Sequence, residues 1–113
     1  MATRRTADSV PLDRLCELRN PEDIARLVPQ GSRNYALLEK GVEIARSHFP
    51  DAGMSIVAER DIEEPDFESI FLEIAVEGDW KTASDVYDNM YESGWLDIFS
   101  ESKGLIVAVL EFE

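Results

Sequence analysis

"SIFLEIAVEGDW", residues 69–80, is where the hydrophobic period of the chain changes. Ile70, Leu72, Ile74 and Val76 alternate with Phe71, Glu73, Ala75 and Glu77, the two-residue period of a strand. Glu73 and Glu77 mark the second set as the wet face. Phe71 shares that face and is out of place on it. Gly78 then breaks the run, and Asp79 offers a cap to the helix "DWKTASDVYDNMYESGW" (79–95). Trp80, Ala83, Tyr87, Met90 and Tyr91 form its apolar side, to be buried on the sheet, and Gly94 loosens or ends it.

Downstream lies "KGLIVAVLEFE" (103–113), apolar on both alternating faces until Glu111. Leu105, Val107 and Val109 point one way, and Ile106, Ala108 and Leu110 the other. Such a strand is either central between helical layers or in contact with another copy. No lysine or proline guards 105–112, which favours a homodimer. The strand–helix–strand unit from 69 to 112 should cross over right-handedly with its two strands parallel.

Upstream, "MSIVAER" (54–60) alternates as a further strand. Between the two strands sits "RDIEEPDFESIF" (60–71), rich in acids, with Pro65 where a ladder has no use for it. It reads as a hairpin loop. The helix "SRNYALLEKGVEIARSHFP" (32–50) precedes it, capped by Ser32 and ended by Pro50, with Leu38, Val42, Ala45 and Phe49 at helical spacing. Earlier still, Leu12, Leu15, Cys16 and Leu18 suit one or two helical turns. Asn20-Pro21-Glu22-Asp23 is a helix start with Asn20 as cap, Pro21 in the first position and acids in the first turn.

The expected architecture is one α+β domain over 1–113. It has a loose tail (1–9), an N-terminal helical arm (10–31) and a core (32–113). In the core a strand–strand–helix–strand unit makes a small mixed three-stranded sheet packed by helices. The run "LLEKGVEIARSHFP" (37–50), the acid-rich hairpin and the final apolar strand resemble small bacterial proteins of uncharacterised function. That resemblance implies a compact bacterial α+β domain and supplies no site residues.

Charge narrows the function. The chain of 113 residues carries a formal net charge of −13. Residues 1–50 hold eight Arg/Lys and seven Asp/Glu, whereas residues 51–113 hold three and seventeen, a balance of −14. Nucleic acid and anionic membranes need a basic surface, so neither is an expected partner. A basic protein would be steered to the C-terminal half. No apolar run approaches the roughly 18 residues of a membrane helix. The two arginines of "MATRRTADSV" are not followed by the apolar stretch of a secretory signal. A single cysteine, Cys16, allows no internal disulfide, and a reducing cytoplasm is the simplest setting.

Chemistry finds little purchase. His48 is the one histidine, placed to meet the C-terminal end of its helix, and Cys16 among leucines reads as a small buried hydrophobe. No glycine pattern cradles phosphate, so no cofactor is expected. As a calcium loop the acid segment fails: Pro65 supplies no side-chain ligand, Asp66 stands where glycine belongs, and Leu72 stands where the bidentate acid belongs. Acids on an open hairpin stay hydrated, which also disfavours a paired-carboxylate acid/base site. No catalytic, cofactor or metal residue is assigned.

What remains is a contact surface of aromatics rimmed by acids: Asp61, Glu63, Glu64, Asp66, Phe67, Glu68, Phe71, Trp95 and Phe99. The expected function is a non-catalytic acidic interaction protein, antitoxin- or inhibitor-like, that binds a basic protein. The alternative is a small enzyme or ligand-binding domain with a pocket between the second main helix and the sheet.

Overall fold

The computed structural model describes residues 16–60, 63–64 and 67–112. Its elements run β1 (Glu17–Leu18), α1 (Pro21–Leu27), α2 (Arg33–His48), β2 (Gly53–Arg60), β3 (Glu68–Val76), α3 (Trp80–Met90), α4 (Leu96–Glu101) and β4 (Ile106–Phe112). The alternating segments become β2 and β3, an antiparallel hairpin in which Ile56 faces Leu72 and Arg60 faces Glu68. The β-branched run after Gly104 becomes β4, parallel to β3 with Phe71 opposite Val107. This is the α+β class, and the crossover through α3 joins parallel strands as the spacing requires.

Among the described residues the sheet has four strands in the order β1-β2-β3-β4, not three. The added strand is β1, parallel to β2, with Glu17 opposite Ser55 and Leu18 opposite Ile56. Residues 16–18 are therefore not a helical turn, and Leu12 and Leu15 lie outside the described residues. A two-residue strand leaves no period to read. Asn20 departs from expectation for a related reason. It makes no cap bond to α1; its amide nitrogen donates to Ala58 O (2.7 Å) and its oxygen accepts from Ala58 N (2.9 Å). The side chain thus extends β1 along the edge of β2, worth more to a strand that would otherwise leave both groups unpaired. Pro21 still opens α1, with Glu22 and Asp23 in its first turn.

One sheet face makes the core. Ile56, Ile70, Leu72, Ile74, Ile106 and Ala108 are fully buried against Leu38, Val42 and Ala45 of α2, together with Met90, Trp95 and Ile98. Ser32 caps α2 as expected, its hydroxyl accepting from Tyr35 N at 3.1 Å. Asp79 caps α3, accepting from Lys81 N at 3.1 Å. Gly94 neither ends the second helical stretch nor continues it. At φ 171° and ψ −31° it kinks the turn 91–95, redirecting the chain into α4.

Two tryptophans depart from expectation. Residues 95–99 make an amphipathic turn of helix: Trp95, expected on the contact surface, points inward with Ile98, while Leu96 and Phe99 point outward. Trp80, expected on the buried side of α3, is 66% exposed. It occupies the first helical position, beyond the end of β3 at Val76, where the helix has not yet come over the sheet.

Candidate functional site

Asp61 and Asp66 lie outside the described residues. Glu63 and Glu64 are exposed, and Phe67, tethered by its amide to Glu64 O (2.8 Å), is 66% exposed at the tip of the hairpin. Glu68 is held within the fold. Both of its oxygens take hydrogen bonds from Arg26 (3.0 and 2.5 Å), and Arg60 stands 3.7 Å away. The bond from Arg26 holds its carboxyl below the usual range. This ion pair joins α1 to the loop end of the hairpin. Phe99 is 39% exposed and packs beside Gly104, at the same end of the sheet as Phe67. Trp95 is fully buried, its indole N–H donating to Gly41 O at 2.9 Å, so it is not part of this surface.

Phe71 belongs to a different patch, on the sheet face turned away from the helices. Its register neighbours there are Val57 on β2 and Val107 on β4, and the next rungs bring Glu73 beside Val109 and Ala75 beside Glu111. Val57, Phe71, Ala75, Val107 and Val109 are all half-buried, and among the described residues none of them packs against the core cluster. The puzzling Phe71 and the second apolar face of the last strand are one surface.

Carboxylates sit in its middle. Glu73 accepts from Arg19 at 3.1 Å and from the Ser55 hydroxyl at 3.3 Å, and the Glu111 carboxyl lies close enough to share a hydrogen bond with it. Burial raises the Glu73 pKa, and Glu111 raises it further against the pull of Arg19. Its side chain is only 16% exposed. Sequence reading placed Glu73 on the wet face; its meeting with Glu111 and Arg19 depends on strand order, which periodicity does not carry.

Side chains take up the outward backbone groups along the β4 edge of the sheet. In the parallel ladder Leu105 O accepts from Ile70 N, so alternate residues of β4, among them Ile106 and Ala108, turn their backbone groups outward. The hydroxyl of Tyr91 accepts from Ala108 N (3.0 Å), and both Tyr87 (2.7 Å) and Tyr91 (3.2 Å) donate to Ala108 O. The Ser102 hydroxyl accepts from Ile106 N at 3.1 Å. On β2, past the two residues that β1 pairs, Asn20 does the same for Ala58. Pairing of a new strand onto the middle of β4 is blocked.

A groove of about 650 Å³ opens between α3 and the ends of β2 and β3, lined in part by His48, Gly53, Val76, Asp79, Thr82 and Val86. His48 Nδ1 lies 3.0 Å from Ile44 O, and Nε2 lies 3.3 Å from the Ser93 hydroxyl. Asp79 is engaged in capping: the Thr82 hydroxyl and the Lys81 amide hold its pKa down. Among the described residues no three His, Cys, Asp or Glu side chains gather as a metal site, and no helix is long and apolar enough to cross a membrane. No protein-family model matches the chain, and neither the curated proteins nor the solved structures contain a significant match to it.

Proposed function

We propose that the protein is a non-catalytic acidic interaction module that binds a basic protein, in the manner of an antitoxin or inhibitor covering a cationic surface. The observation that carries this reading is the pairing of a −14 balance over residues 51–113 with an apolar sheet face that, among the described residues, lies outside the core cluster. Charge draws a cationic partner in, and the apolar face gives it something to bury. Exposed Phe67 and Phe99 add a second apolar patch at the hairpin end. A reducing cytoplasm suits this role: Cys16 is buried, and burial pushes its thiol up to about 11, far from the reactive thiolate.

Affinity capture under native conditions at low and high ionic strength tests the reading. A basic protein should be retained at low salt and released as salt rises. Retention of acidic or neutral proteins alone, or retention indifferent to salt, contradicts it.

The second reading, a small enzyme or ligand-binding domain, is favoured by one observation: His48 lines the groove between α3 and the sheet. A small molecule held there should raise the melting temperature of the protein, and His48→Ala should abolish that rise. If no compound of a broad metabolite set shifts the melt, this reading falls.

A further inference from the structure

We infer that the sheet face opposite the core, centred on Phe71, is the docking surface, and that its occupant is a cationic amphipathic helix of the partner. The inference rests on the proposed function and specifies where and what that function binds.

The shape of the occupant follows from what the fold leaves free. A strand is excluded from the middle of β4, where two tyrosines hold Ala108, and from β2 at Ala58, which Asn20 holds. An apolar sheet face is covered in folded proteins by a second sheet or by the apolar stripe of a helix. The patch here is three strands wide at Val57, Phe71 and Val107, with Val109 one rung further along β4. That is the footprint of a helix stripe and too small for a second sheet.

Its charge follows from Glu73 and Glu111. They lie together on this face with Arg19 as the cation on Glu73, and Arg19 is itself half-exposed. A lysine or arginine on the flank of the incoming helix meets two carboxyls and relieves their repulsion. A second copy of the same chain would instead bring its own Glu73 and Glu111 against these, on top of a net charge of −13 on each side. Charge complementarity therefore selects a basic partner over self-association.

The probe is a synthetic amphipathic peptide of about 18 residues, five helical turns, with leucines on one stripe and lysines on the rest. Its controls are the same composition scrambled, to destroy the stripe, and the same stripe with glutamates for lysines. Binding is read by fluorescence anisotropy against the wild type, Phe71→Thr/Val107→Thr, Glu73→Gln/Glu111→Gln, and the hairpin variant Glu63→Gln/Glu64→Gln. Each variant is first shown to melt cooperatively. The lysine peptide should bind, and both controls should be weaker by roughly tenfold or more. Phe71→Thr/Val107→Thr should lose a similar factor, Glu73→Gln/Glu111→Gln should lose part of it, and the hairpin variant should lose little. Loss confined to the hairpin variant overturns the docking face while leaving a basic partner in place. Absence of binding by any cationic peptide overturns both. A dimeric wild type made monomeric by Phe71→Thr/Val107→Thr overturns the inference in favour of a self-interface.

Discussion

The indole N–H of Trp95 donates to the carbonyl of Gly41 at 2.9 Å, and the indole ring lies over that glycine so closely that a Cβ there would come within 2.5 Å of it. The contact locks the kink after α3 onto the middle of α2. Gly41 is a gap made for one side chain.

In an exposed helix, alanine is favoured over glycine by about 1 kcal/mol. At Gly41 the sign should reverse, because overpacking a filled site costs roughly 1–3 kcal/mol and the facing atoms belong to a rigid ring. Chemical denaturation of Gly41→Ala should show a lower midpoint. A higher midpoint means the ring has room to move.

Tyr91 and Tyr87 should prove unequal. Tyr91→Phe strips the partner from the Ala108 N–H and should cost about 1–3 kcal/mol, the penalty for a buried donor left unmade. Tyr87→Phe leaves Ala108 O still bonded to Tyr91 and should cost less. Burial raises the Tyr87 pKa, which favours the protonated, donating hydroxyl. Thermal melts of the two variants decide the order, and the reverse order refutes this account of the edge.

Glu111→Gln should stabilise the protein at neutral pH by about 0.2–1 kcal/mol, the scale of a like-charge pair on neighbouring strands. The Glu73 pKa is raised in the folded state, by burial first and by Glu111 second. The native protein thus binds its proton more tightly than the unfolded chain does. Stability from this group grows as pH falls through the raised pKa and is lost as pH rises. In Glu111→Gln that dependence should shrink without vanishing, since burial remains. Melting curves at mildly acidic and neutral pH check it; an equal gain at both contradicts it.

Much of this was legible. Alternation over 54–60 and 69–77 needs only the two-residue period, so β2, β3 and the hairpin could be read directly, and Phe71 stood out against Glu73 on the wet face. The caps at Ser32 and Asp79 are local and were legible for the same reason. Asn20 was not, because its side chain had a better use on a strand 38 residues away. Burial of Trp95 likewise depends on a glycine 54 residues earlier. The candidate surface needed one further fact. Whether Val107 and Val109 share a face with Phe71 is set by the register of parallel strands, and a shift of one residue would have turned them away.

Nuclear magnetic resonance titration of the labelled protein with the lysine-bearing amphipathic peptide tests the central claim most directly, since it reports the position of contact residue by residue. The account predicts shifts concentrated at Val57, Phe71, Glu73, Val107 and Val109, reduced as salt is added. Shifts concentrated at Glu63, Glu64, Phe67 and Phe99, with the sheet face around Phe71 silent, would contradict it.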